Sequence, residues 1–215
     1  MKILALDAAT EACSAALYRD GDVDERFEVP GRGHAERLLP MADELLRAAG
    51  LELHELDAIA FGRGPGGFTG LRIAAGIAQG LASGSNRPVL PVSNLAAIAA
   101  AAARGAGAGR VLACMDARMG QVYWATFDCA GAAPALIGAE HLSGPEDVTP
   151  PEGSAWFGAG HGFAAHPGLV ARLGGALAGL EPAILPHAGD IARIAAVDCG
   201  AGRALPATQG LPVYL

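Results

Sequence analysis

The residues best placed to do chemistry lie in one glycine-rich run, Phe61-Gly-Arg-Gly-Pro-Gly-Gly-Phe-Thr-Gly-Leu-Arg-Ile73. It follows an apolar segment, Leu56 to Phe61, and opens a helical one, Thr69 to Ser83. Gly62, Gly64 and Gly67 fit the dinucleotide pattern G-x-G-x-x-G. Gly62 to Thr69 fits a P-loop, except that Phe68 stands where the lysine belongs. Backbone N–H groups of such a loop can cradle a phosphate at a helix N-terminus. The charges that would complete either site are missing. A dinucleotide site requires a carboxylate roughly 20 residues downstream, and Ser83 to Leu95 holds none. A P-loop requires its lysine at the β/γ-phosphates, and the only lysine of the chain is Lys2. The loop is therefore expected to be structural. Its glycines would permit close backbone approach or weak anion binding, and Phe68 would be buried as the anchor of the helix start.

The remaining reactive residues form no constellation. His34, His54, His141, His161, His166 and His187 are scattered without ligand spacing, and one imidazole alone does not make a stable metal site. Cys13, Cys114, Cys129 and Cys199 show no C-x-x-C spacing and read as reduced thiols of a cytoplasmic protein. Cys114 sits inside an apolar strand, where a thiol is packing and not a nucleophile. Ser14, Ser83, Ser85, Ser93 and Ser154 lack a Gly-x-Ser-x-Gly elbow. Asp7 is followed by Ala8-Ala9-Thr10, with no close-approach glycine, and is expected to cap its hairpin. A weak or shared nucleotide site is the other reading of Asp7. No catalytic residue, metal or cofactor is assigned.

These residues must be held by an alternation of strands and helices. Lys2 to Asp7, Ala12 to Arg19 and Val23 to Val29 read as three strands, with Asp20-Gly21 as a turn. Gly31 to Gly33 breaks the chain, and His34 to Ala49 is a helix ended by Gly50. A fourth strand holds Ile59, a fifth spans Val89 to Val92, and Ser93 caps a helix through Ala103. The glycines of Arg104 to Arg110 mark an inter-lobe joint. The second half repeats the pattern with Val111 to Asp116, a turn at Gly120, Gln121 to Phe127, Leu136 to His141 and Trp156 to Gly158. Gly168 to Leu180 and Asp190 to Ala196 read as helices. Both halves open strand-turn-strand around an aspartate, Asp7 and Asp116. The expected fold is a two-lobed α/β protein of the actin-like ATPase and sugar-kinase (ASKHA) type, with duplicated mixed-sheet domains. The N-terminal lobe is placed at residues 1–105 and a smaller C-terminal lobe at 106–215.

Composition narrows the function classes. The formal net charge of −7 argues against this chain being the main grip on a nucleic acid, since phosphate neutralisation needs clustered Lys and Arg. Charged residues make up only 17% of the chain, which favours an apolar surface that a partner covers. No run reaches the roughly 18 apolar residues of a membrane span. Met1 to Asp7 lacks the apolar region of a signal peptide.

Five segments carry a resemblance. Leu4-Ala-Leu-Asp-Ala-Ala-Thr-Glu-Ala-Cys-Ser-Ala-Ala-Leu17, Gly33-His-Ala-Glu-Arg-Leu-Leu-Pro40, Gly64-Pro-Gly-Gly-Phe-Thr-Gly-Leu-Arg-Ile73, Met115-Asp-Ala-Arg118 and Pro212-Val-Tyr-Leu215 resemble the TsaB (YeaZ) family, in the family's order. The resemblance implies a bacterial protein that works in making threonylcarbamoyladenosine (t6A) at position 37 of tRNAs. It implies binding to a catalytic subunit of similar fold, TsaD, joined by an ATPase, TsaE. The catalytic relative carries two histidines four residues apart on a helix. Here His34 is followed at that spacing by Leu38, so the resemblance implies a non-catalytic partner.

Helix surface takes the place of chemistry. His34, Leu38, Met41 and Leu45 fall on one stripe of the first helix, and Leu39, Ala42, Leu46 and Ala49 on a second. After the glycine loop, Gly76, Gly80 and Gly84 recur every fourth residue and bare a strip of backbone that another helix can approach. That strip packs either on the chain's own sheet and first helix or on another subunit. With the resemblance, the contact expected with the partner comprises His34, Leu38, Met41, Leu45, Ile73, Gly76, Ile77, Gly80 and Gly84. The reading is a dimerisation subunit of the tRNA-modifying transferase, cytoplasmic, pairing with itself when alone and meeting tRNA only through the complex. The rivals are an active metallopeptidase or ATPase of the same fold, and a nucleotide-sensing module.

Overall fold

The computed structural model describes all 215 residues except Arg32, Gly153 and Ser154. Ser154, weighed above as a nucleophile, thus lies outside the described residues. Packing divides the chain into a first unit, Met1–Asn94 with Pro186–Tyr214, and a second, Leu95–Leu185 with Leu215. The boundary drawn after residue 105 is therefore corrected. A late helix returns to the first unit, and Arg104 to Arg110 closes one helix and enters a strand inside the second.

The first unit is a five-stranded sheet. Strand β1 (Lys2–Asp7) pairs antiparallel with β2 (Cys13–Arg19), which pairs antiparallel with β3 (Asp22–Glu28). On the other side β1 runs parallel to β4 (Ala58–Gly64), and β4 to β5 (Val89–Ser93). The order is β3-β2-β1-β4-β5. The exposed face of β3 carries Asp22, Asp24, Arg26 and Glu28, a row of charges that disfavours pairing of this edge with another chain. Between β3 and β4 lies helix α1 (His34–Ala49), and between β4 and β5 helix α2 (Phe68–Ser85). Gly50 ends α1 at φ 64°, a left-handed turn that costs glycine little. Leu4 and Leu6 of β1, Ala15 and Leu17 of β2 and Phe61 of β4 meet Leu38, Met41 and Leu45 of α1 and Ala74, Ala78 and Ala82 of α2. Side chains alternate across a strand, so Ile3, Ala5 and Asp7 point to the opposite face. There α6 (Ala188–Gly200) packs on β1 and β2, with Ser14 Oγ accepting the Ala188 N–H at 2.9 Å. The chain then adds to β5, where Val89 and Leu205 exchange two backbone hydrogen bonds.

The second unit repeats the topology. After α3 (Asn94–Ala106), β6 (Arg110–Arg118), β7 (Gln121–Asp128) and β8 (Ala135–Ser143) form an antiparallel meander. Then β9 (Trp156–Ala159) and β10 (Leu177–Glu181) extend the sheet in parallel beyond β6. Read from β8, the order is β8-β7-β6-β9-β10, the permutation of the first sheet. This shared order is the duplication expected of the ASKHA class. Between β9 and β10 lie the short helices α4 (Gly162–Ala165) and α5 (Pro167–Leu173) and a 3-10 turn over Gly174–Ala176. The helix expected over Gly168 to Leu180 is thus corrected. It stops at Leu173 before the Gly174-Gly175 pair, and Leu177 to Leu180 pair with β9 instead.

Candidate functional site

The glycine loop closes on the chain itself. Gly67 N–H donates to Ala9 O at 2.7 Å, so a donor that would face an anion in a phosphate loop is spent on the β1–β2 turn. A Cβ on Gly66 would sit 2.6 Å from Ala9 O, and one on Gly70 would overlap Ala8 O. The glycines are therefore needed for close backbone approach. Phe68 corrects the expectation of burial: it is 55% exposed. It lies at the start of α2 beside Tyr214, with ring centroids 5.3 Å apart and planes tilted by 38°, and Arg72 stacks 3.7 Å above its ring.

Asp7 is buried at the end of β1. Its carboxylate accepts from Asn94 Nδ2 at 2.5 Å and from Ala9 N at 3.3 Å, the latter closing the turn that follows β1. Gly62 approaches so closely that a Cβ there would overlap the carboxylate. Burial pushes the Asp7 carboxyl up to about 7, against the opposing effect of the Asn94 hydrogen bond. In the second unit Asp116 accepts the Arg118 N–H at 3.1 Å and lies 3.3 Å from His166 Nε2. Asp7 thus closes the turn after β1, and Asp116 holds the irregular end of β6. Cys114 is fully buried, and burial raises its thiol to about 12, which leaves it no thiolate at neutral pH.

His34 donates from Nε2 to Thr10 O at 3.0 Å and ties the start of α1 to the β1–β2 turn. Leu38, one turn later, is fully buried. Among the described residues, no three His, Cys, Asp or Glu side chains cluster to hold a metal ion. No helix there is long and apolar enough to cross a membrane.

The helix surface divides differently from its sequence stripes. Leu38, Met41 and Leu45, expected at a partner contact, belong to the core of the first unit, because they face β1 and β2. Ala42 and Leu46 are buried as well, whereas Leu39 is 47% exposed. On α2, Gly76, Gly80 and Gly84 are exposed, and a Cβ on any of them would meet no atom within 4 Å. The strip faces away from the chain's own core, with Ile73 and Ile77 half-buried beside it. A groove of about 810 Å³ joins the two helices, floored by Leu39, Leu46, Leu51, Leu53 and Leu81 and bounded by Gly84. Sequence reasoning gave no role to Arg72 or Tyr214. Phe68, Arg72 and Gly76 share a spacing of four, but Tyr214 comes from 142 residues beyond Arg72.

Residues 28–170 match the family model described as TsaD, tRNA N6-adenosine threonylcarbamoyltransferase. The tRNA threonylcarbamoyladenosine biosynthesis protein TsaB of Escherichia coli K12 is 42% identical, over all of this chain and 94% of that protein. The protein of the same name from Haemophilus influenzae is 53% identical over 58% of this chain and 52% of its own length. The solved structure of YeaZ from Pseudomonas aeruginosa superposes with a TM-score of 0.91 at 45% identity, over 100% of this chain and 99% of that one.

Proposed function

The chain belongs to the TsaB (YeaZ) family, and from that premise we propose that it acts in t6A biosynthesis as a non-catalytic subunit that binds and activates a TsaD-like transferase. The observation that carries the proposal is the outward glycine strip of α2 beside the Leu39 groove. Helix-interior glycines cost about 0.5–1 kcal/mol each relative to alanine. Nothing inside the chain recovers that cost at Gly76, Gly80 or Gly84, since none of them relieves an internal contact. A helix from another subunit laid along the bare backbone would offset it.

The groups that a catalyst of this fold would use are otherwise engaged. Asp7 is buried under Gly62 and Asn94, His34 is tied to Thr10, and the loop N–H of Gly67 is bonded to Ala9. These commitments favour a partner over an ATPase or metallopeptidase. In this reading the complex is cytoplasmic and a TsaE-like ATPase joins the pair. The isolated chain covers the same face by forming a homodimer. The net charge of −7 supports tRNA contact only through the complex. The contact comprises Leu39, Ile73, Gly76, Ile77, Gly80 and Gly84, with Leu38, Met41 and Leu45 acting behind it as core. The test is co-purification of this chain with the transferase subunit, followed by mass measurement. A stable heteromer that Leu39→Asp abolishes is expected. A transferase that never associates with the wild-type chain would overturn the proposal.

A further inference from the structure

Phe68, Arg72, Gly76, Gly80 and Gly84 follow one another at intervals of four along α2, and all are exposed. Residues four apart in a helix stand one above the other on the same face. Each step of four turns the row by about 40°, so it winds round α2, with Gly76 next to Arg72 and Arg72 next to Phe68.

Arg72 is held unusually firmly for an exposed residue. Its Nε donates to the Tyr214 hydroxyl at 3.0 Å. The guanidinium carbon lies 3.7 Å from the Phe68 ring centroid and 5.8 Å from that of Tyr214. Arg19, Arg26, Arg37, Arg47 and Arg203 each reach a carboxylate of this chain. Arg72 has no carboxylate partner among the described residues, although the chain carries 22 Asp and Glu against 15 Lys and Arg. Its planar fork is fixed by aromatic contacts and one phenol, with both terminal nitrogens left for an incoming acceptor. A fixed fork loses less entropy on binding than a free one. Arginine and tyrosine are also among the residues in which contact energy concentrates.

We infer that Arg72, stacked on Phe68 and held by the Tyr214 hydroxyl, is a preformed receptor for an Asp or Glu side chain of the subunit that covers the glycine strip. The inference rests on the pairing reading above and adds the chemistry that orients the partner. A glycine strip alone is symmetric along its length and lets a helix slide. One bidentate guanidinium–carboxylate pair at its end fixes the register. A protein carboxylate is favoured over an RNA phosphate, because one arginine on a chain of net charge −7 attracts no polyanion.

The affinity of the purified transferase subunit for the wild-type chain and for Arg72→Gln, Arg72→Lys and Gly80→Leu, measured by calorimetry at low and high salt, tests it. Arg72→Gln should weaken pairing about 10- to 100-fold and flatten its salt dependence. Arg72→Lys should recover only part, because an ammonium lacks the planar fork. Arg72→Glu should regain affinity for a transferase variant in which one facing carboxylate is changed to arginine. The free Arg72 variants should melt like the wild type, and free Gly80→Leu should remain folded. If Gly80→Leu loses pairing while Arg72→Gln pairs as the wild type does, the contact reading stands and the receptor is wrong. If the wild type does not pair at all, the contact reading fails first. If Arg72→Gln pairs normally but the assembled complex loses tRNA affinity, the acceptor is a phosphate and the carboxylate assignment is overturned.

Discussion

Substituting Gly80 separates the two packings that the glycine strip allows. In the free chain a Cβ at Gly80 meets nothing within 4 Å. Gly80→Ala should therefore stabilise the isolated chain by about 0.5–1 kcal/mol, through helix propensity and a less flexible unfolded state. For a chain of this size that corresponds to roughly 1–4 °C in melting temperature. Gly80→Leu adds three further carbons in the same open space, so the isolated chain should still fold. At a helix–helix contact the same side chain must displace the partner's backbone. Overpacking costs about 1–3 kcal/mol, which is about a 5- to 150-fold loss of affinity. Differential scanning calorimetry of the free chain and titration against the purified transferase subunit read the two halves. A folded Gly80→Leu chain that pairs weakly is expected. An unfolded one would mean that the strip lies on the chain's own core, and a folded one that pairs normally would remove α2 from the contact.

Three further outcomes follow from the same geometry. Leu38→Asp should unfold the first unit, by about 3 kcal/mol or more, because it places a charge in the core under α1; Leu39→Asp should leave the melt unchanged and abolish pairing, and circular dichroism with size exclusion separates them. Gly70→Ala should destabilise by at least about 1–3 kcal/mol, because the methyl overlaps Ala8 O, and a urea melt measures this. Asp7 is raised in the folded chain from 3.8 to about 7. Its folded state thus binds a proton that the unfolded state has released, so the stability it contributes is complete below pH 4 and lost as pH rises to about 7. The loss is on the order of 4 kcal/mol at most. Asp7→Asn should flatten that part of the stability–pH curve, whereas an unchanged curve would place the titration elsewhere.

The strands and first helix were legible because their periodicities are clean. Gly50 after α1 marks the helix end without tertiary help. Which stripe of α1 turns inward was not legible. Leu38, Met41 and Leu45 are as apolar as Leu39, Ala42 and Leu46, and only the sheet decides between them. Phe68 read as the buried anchor of the helix start, but the ring that meets it comes from Tyr214, far along the chain. The role of Asp7 as a turn cap was readable from its neighbours, while its strongest partner, Asn94, lies 87 residues away. The Gly174-Gly175 pair follows the end of α5, but the helix read from the sequence runs through it to Leu180 and so misses β10. The glycine strip was visible as a spacing, and its direction required the fold.

The partner role is tested most directly by tRNA modification reconstituted from purified transferase, ATPase, tRNA and an activated threonylcarbamoyl donor, with and without this chain. Threonylcarbamoyl transfer should need the wild-type chain, should be restored by Gly80→Ala, and should fail with Leu39→Asp although that variant is folded. Full modification in the absence of the chain, across a range of transferase concentrations, would contradict the role assigned to it.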